Sequence, residues 1–517
     1  MSSALILDGH SLTLEDVVRV ARSAEPAIEL APEARERMAQ SRGWVEQLVA
    51  RGQPVYGLNT GFGTFADRHI SAEDIQRLQR NLILSHAVGV GDPFAVEVVR
   101  AAMLIRANAL ALGHSGVRPA LVETLLAMLN AGVTPVIPSQ GSLGSSGDLA
   151  PLSHLALTLS TDDVDREEES GWAWFQGSRL SGKAAMDAAG IPRLVLGPKE
   201  SLALNNGATF SVALGVLAVM DARDILAASE VGLALALEAL CGASAAFDAR
   251  LHAARGQIGQ LQVAGRVREL VAGSSLVDSA GRVQDAYSVR CAPQVIGAAR
   301  ETLDFAAGVL EREANAATDN PLLFDGQALS GGNFHGEYVG MVMDFAAIAV
   351  AEAGAISERR TARLVDTAVN FGLPPMLVGQ PEAAGLNSGL MMPQYTAASL
   401  VLENQTLAAP DSVHSLPTSA NQEDHNANSA TAGRHFRRVV DNTRRIVAIE
   451  LLAAAQAAEL RLRAVPGTRL GTGTAAALAA IRQQVPFIDQ DQLYGPHIDA
   501  LVKMVREGAF REANQVI

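Results

Sequence analysis

The chain of 517 residues carries a formal net charge of −14, and 48% of it is hydrophobic but only 4% aromatic. Ala, Leu and Val dominate long stretches, which suits helices packed on helices and leaves no basic face for a phosphate backbone, so nucleic acid is excluded as the main partner. Two cysteines, Cys241 and Cys291, cannot build a disulfide framework, and Met1 to Glu15 holds no basic stretch followed by an apolar run; a cytoplasmic protein without a membrane partner is expected.

Thr13-Leu14-Glu15-Asp16 ahead of Val17 and Val18 reads as a helix start, with the Thr13 hydroxyl able to accept a free backbone N–H. Over residues 53–65, Gly57, Gly61 and Gly63 crowd around Tyr56 and Asn59, a pattern for a loop. Helices are predicted over 92–112 and 119–130. Between 132 and 151 runs a Gly/Ser/Pro segment with apolar neighbours. A loop inside a core must find partners for its backbone polar groups, so this one asks for a functional explanation.

The charge run DDVDREEE at 162–169 reads as a solvated turn beside a short hairpin over 172–180. Beyond it the pattern predicts helices at 201–240, 293–315, 335–365, 395–407 and 433–462. In the last, Phe436, Val440, Val447 and Leu451 share a face, with Arg437, Arg438, Arg444 and Arg445 off it. The uncharged stretch 201–220 contains Asn205, Asn206, Gly207 and Thr209, which suits a buried helix better than a bilayer. No linker and no repeat interrupts this order. The expectation is one mainly α domain over 1–517, a bundle of long helices (201–517) with a loop-rich N-terminal part (1–200).

Six blocks carry the chemistry. Gly141-Ser-Leu-Gly-Ser-Ser-Gly-Asp-Leu-Ala-Pro-Leu152 is accompanied by Tyr56-Gly-Leu-Asn-Thr-Gly-Phe-Gly63, Asn81-Leu-Ile-Leu-Ser-His-Ala87, Gln284-Asp-Ala-Tyr-Ser-Val-Arg290, Gly331-Gly-Asn-Phe-His335 and Asn421-Gln-Glu-Asp-His425. In content and order they resemble the aromatic amino acid ammonia-lyases and aminomutases, over roughly residues 5–510, and most of all the histidine ammonia-lyases. In that family an Xaa-Ser-Gly tripeptide cyclises with loss of two waters to 4-methylideneimidazol-5-one (MIO), an electrophile that takes up the substrate amine. Here the resemblance puts MIO on Ser145, Ser146 and Gly147. Glycine lets the backbone fold tightly enough for its nitrogen to reach the first carbonyl, and the central serine can lose its hydroxyl. Ser145 stands where Ala is usual, so the ring would carry a hydroxymethyl in place of a methyl.

The resemblance further implies a small amino acid substrate and a homotetramer whose active sites draw on three chains. Tyr56 matches the catalytic base, a phenol whose pKa must be depressed by a positive field such as converging helix N-termini. Arg290 would bind the substrate carboxylate by a forked pair, and Tyr287 and Gln284 would contact the cofactor ring and the substrate. Asn206 would hydrogen-bond the MIO oxygen, and Phe334 would wall the pocket. Ser85 and His86 match the Ser-His pair of histidine ammonia-lyases, and Glu423 matches a carboxylate that can accept an imidazole N–H. The expected reaction is L-histidine to trans-urocanate and ammonia.

Ala208, Ala286 and residues 426–430 depart from the family pattern beside matched positions. Alternatives are a tyrosine or phenylalanine ammonia-lyase or 2,3-aminomutase, a hydrolase using Ser146 as nucleophile, and an inactive helical binding protein. His414, Asp424 and His425 do not supply three metal ligands on one face, so no metal is expected.

Overall fold

The computed structural model describes residues 4–52, 54–65 and 67–511; Gln53, at the head of the expected loop, and the first three residues of the N-terminal segment lie outside the described residues. Among those described, 18 α-helices stand against five small sheets of two or three strands, so the chain is mainly α as its composition requires. Two compact units emerge: Met1–Leu217 with Ala307–Asp344 and Pro410–Arg434, and Ala218–Ala306 with Phe345–Ala409 and His435–Ile517.

In the first unit, helix Leu14–Arg22 begins where expected, with the Thr13 hydroxyl accepting the Asp16 N–H at 3.1 Å. The helix predicted from residue 92 starts only at Val96. Asp92 and Pro93 instead end the strand Val90–Pro93, which pairs with Pro138–Gln140. Pro93 pushes Asp92 out of the helical region, and the Phe94 N–H is taken by the Ile137 carbonyl at 2.9 Å.

The expected loop over 132–151 is interrupted by the strands Thr134–Pro135 and Pro138–Gln140, and helix Leu149–Leu159 begins before Pro151. A proline in the first turn takes no hydrogen bond from the helix, so it does not stop one there. The hairpin pairs Trp172–Phe175 with Ser178–Ser181. Beside it the charge run is pinned as well as solvated, because Asp165 pairs with Lys183 at 2.8 Å and with Arg193.

The helix expected over 201–240 is two helices, Glu200–Asn205 and Thr209–Ala239. Asn206 between them is extended (φ −101°, ψ 127°), and Gly207 has φ +122°. Arg106 holds the break from below. Its fully buried guanidinium donates to the Ala203 carbonyl at 3.2 Å, to the Thr318 hydroxyl at 3.4 Å and to the Thr209 hydroxyl.

The second unit contains Ile258–Leu270, Met391–Leu407, Thr472–Gln484 and Gly495–Arg506 with much of the longer helices. Phe436, Val440, Val447 and Leu451 are all buried, as their spacing predicts. Arg444 is not on an open face: it is buried and pairs with Asp221 at 2.9 Å and Asp441 at 2.7 Å. Fully buried Arg360 likewise meets Glu450 at 2.8 Å and the Ser229 hydroxyl at 3.0 Å. For both arginines the pairing offsets the cost of taking the charge out of water.

Among the described residues, Glu337–Val365 is the one helix long and apolar enough to cross a membrane by length and composition. Of its most apolar stretch 61% is buried inside the molecule, as in a core helix.

Candidate active site

The segment Gly141 to Asp148 is tied down from several sides of the first unit. The Asn428 N–H donates to the Leu143 carbonyl at 2.7 Å, and the Gly336 N–H to the Gly144 carbonyl at 2.9 Å. Asp148, fully buried, accepts from the Ser142 hydroxyl at 2.7 Å and from the Ser211 N–H and hydroxyl at 2.8 and 3.0 Å. Burial raises its carboxyl above the usual range while these donors pull it down. The Leu143 and Gly144 carbonyls and the buried Asp148 carboxylate therefore have partners, which helps this loop lie against a core.

Its tip faces the break at Asn206 and Gly207. Asn206 Nδ2 donates to the Ser146 carbonyl oxygen at 2.7 Å and the Gly207 N–H to the same oxygen at 3.3 Å. Gly147 (φ +76°) pairs in parallel with Gly207, so closely that a Cβ on Gly147 would fall 2.2 Å from the Gly207 carbonyl carbon. No other residue fits at 147. Two donors on one carbonyl oxygen form a site that can hold developing negative charge.

Above the loop opens a cavity of about 1150 Å³. Tyr56, Ser85, His86, Ser145, Ser146, Asn206, Phe334 and Glu423 all line it, so eight of the twelve residues singled out from the sequence converge there; Gly147, next in the chain after Ser146, is not among the lining residues. Glu423 reaches the loop directly. Its Oε2 accepts from the Ser145 hydroxyl at 2.6 Å and its Oε1 from the Ser146 hydroxyl at 3.2 Å.

Ser85 Oγ lies 3.2 Å from the Leu82 carbonyl, to which it donates, and 2.9 Å from His86 Nδ1. Burial lowers the His86 pKa, against smaller upward pulls from the Leu82 carbonyl and Glu423. Tyr56 packs edge-on to Phe62 with centroids 6.2 Å apart. Its phenol is not depressed within this chain. Burial raises it, the Gly63 N–H lowers it, and the Glu423 charge raises it again.

Gln284, Tyr287 and Arg290 belong to the second unit and do not line the cavity. Tyr287 is 72% exposed, and the Arg290 guanidinium lies over its ring at 5.2 Å while donating to the Gln284 side chain. The sequence reading missed Asp148 and Gly207. An Asp directly after Ser-Ser-Gly was the available signal for the first, and the Gly after Asn206 for the second.

A family model described as aromatic amino acid lyase matches residues 12–483. The chain belongs to the aromatic amino acid lyase family. This lyase is 48% identical over 98% of its length, and 98% of the relative's, to a histidine ammonia-lyase of Geobacillus thermodenitrificans. Among solved structures it resembles histidine ammonia-lyase from Trypanosoma cruzi (TM-score 0.89, 39% identity, 98% of this chain and 94% of that one). It also resembles tyrosine aminomutase from Streptomyces globisporus (TM-score 0.91, 36% identity, 98% of both chains). The lyase is thus a carbon–nitrogen lyase of helical fold, with a small amino acid as substrate.

Proposed function

We propose that this lyase acts as one ammonia-lyase domain that converts L-histidine to trans-urocanate and ammonia, with an MIO group formed from Ser145, Ser146 and Gly147. The observation that carries the reading is the Glu423 carboxylate, which reaches the Ser145-Ser146 loop in a cavity it shares with Tyr56 and His86. The loop fits the group: Gly147 has a positive φ and packs against Gly207 too closely for any side chain, and the Ser146 carbonyl already has its two donors.

In closure the Gly147 nitrogen bonds the Ser145 carbonyl carbon. The first water takes that carbonyl's oxygen with the hydrogens of the Gly147 and Ser146 N–H groups. The second takes Ser146 Oγ and its hydrogen with the Ser146 Cα hydrogen. When formed, the group supplies an electrophile that converts the substrate amine into a better leaving group.

The remaining work falls to side chains. Tyr56, as phenolate, accepts the β-proton. Glu423 accepts the imidazole N–H, and Phe334 closes the wall beside it. Asn206 and the Gly207 N–H stabilise charge on the Ser146 oxygen. Arg290 binds the substrate carboxylate, with Tyr287 and Gln284 beside it. Since these three do not line the cavity of their own chain, a second copy supplies them, and a cytoplasmic homotetramer with shared sites is part of the same reading.

Glu423→Gln tests the choice of substrate. It should reduce kcat/KM for histidine by about two orders of magnitude or more, roughly 2.7 kcal/mol, and any activity on tyrosine or phenylalanine far less. A wild type that prefers tyrosine, or a substitution that slows all three alike, would reject histidine while leaving the family standing. Product analysis separates elimination from 2,3-amino migration.

A further inference from the structure

Ser145 stands where alanine is usual in the family, and its hydroxyl has a defined partner. From a side chain only 7% exposed, Oγ donates to Glu423 Oε2 at 2.6 Å, while Ser146 Oγ donates to Oε1 at 3.2 Å. Loop closure treats these two hydroxyls differently. Ser146 Oγ leaves as water, whereas Ser145 loses only its carbonyl oxygen and keeps Oγ on its own Cα–Cβ stem. Glu423 then has a free acceptor at Oε1 and a tethered one at Oε2.

We propose that the Ser145 hydroxyl is a positioning and specificity-determining group, which holds Glu423 Oε2 so that Oε1 is presented to the ring N–H of the substrate. An untethered carboxylate can turn about its last single bond and must be ordered when substrate arrives. A tethered one is ordered on folding, and ring recognition gains by that difference. Alanine at this position leaves the carboxylate to orient itself. The inference rests on the histidine reading, since an aromatic ring without an N–H would not use Oε1.

The test compares wild type, Ser145→Ala and Ser145→Thr by intact mass and by calorimetric binding of two substrate skeletons lacking the amine, 3-(imidazol-4-yl)propionate and 3-phenylpropionate. All three proteins should show the deficit of two waters. Ser145→Ala should bind the imidazole compound about tenfold more weakly, the scale of one hydrogen bond to a charged group, with phenylpropionate affinity unchanged. Ser145→Thr, which restores the hydroxyl, should recover most of the loss.

Equal imidazole affinity in wild type and Ser145→Ala overturns the proposal, as does a Thr variant no better than Ala. A Ser145→Ala chain that retains the two waters also overturns it, because the hydroxyl would then be needed for closure. If wild type does not prefer the imidazole compound at all, the histidine reading falls and this proposal with it. That result is distinct from one in which the preference stands and Ser145 is dispensable.

Discussion

Tyr56 is surrounded by influences that oppose its ionisation: burial and the Glu423 carboxylate raise its pKa, and only the Gly63 N–H lowers it. A phenol serves as a base only when ionised, so its contribution must grow as pH rises toward its folded pKa, and a positive charge such as Arg290 from another chain would shift that rise downward. Tyr56→Phe should keep the deficit of two waters and lose about two orders of magnitude in kcat with little change in KM, its residual rate no longer climbing with pH. Unchanged turnover in a kcat–pH series would make Tyr56 structural. Tyr56, Ser146 and Glu423 were legible in the sequence because each needs a particular chemical type in a recognisable block. The bond from Ser145 to Glu423 was not, since it joins positions 278 residues apart that no local pattern relates.

At the scale of elements, the break between Glu200–Asn205 and Thr209–Ala239 does most to build the site, and it is where helix periodicity misled. Apolar residues continue through 201–240, and a single glycine costs an isolated helix only about 1 kcal/mol, too little to announce an interruption. The decision is tertiary, made by Arg106 on the residues flanking the break. Long regular stretches such as Ser429–Ala464 were readable because burial there follows the repeat. At Gly207 (φ +122°) a Cβ would meet Arg106 Nη2 at 2.4 Å and Thr318 Oγ1 at 2.7 Å. Gly207→Ala should therefore cost about 1–3 kcal/mol and disturb both donors on the Ser146 oxygen. Denaturant midpoints should fall and intact mass should reveal chains that have not lost their waters. Gly132→Ala is the control, since Gly132 has positive φ but open space around it: it should lose stability and still close the loop. Full closure in Gly207→Ala would remove the break from any role in making the site.

For the whole molecule, the unsatisfied features point outward. Helix Glu337–Val365 shows Tyr338 (76% exposed), Met341, Phe345 and Ile348 at spacings of three and four residues, a stripe that would cost free energy left in water. Tyr287 is exposed in the second unit while the cavity lies wholly in the first. If each working site joins a cavity from one chain to Tyr287 and Arg290 of another, two inactive variants can repair each other. Ser146→Ala lacks the closed loop but has Tyr287; Tyr287→Phe has the loop but not the phenol. Co-expressed in equal amounts and assembled at random, they should yield roughly a quarter of the wild-type activity, because each site needs the right chain in two places. Either variant alone should remain near zero. The measurement is specific activity of hybrids purified through two different affinity tags, which also shows that the chains have mixed. Hybrids as inactive as their parents would mean that each chain completes its own site, and the shared-site reading would be withdrawn.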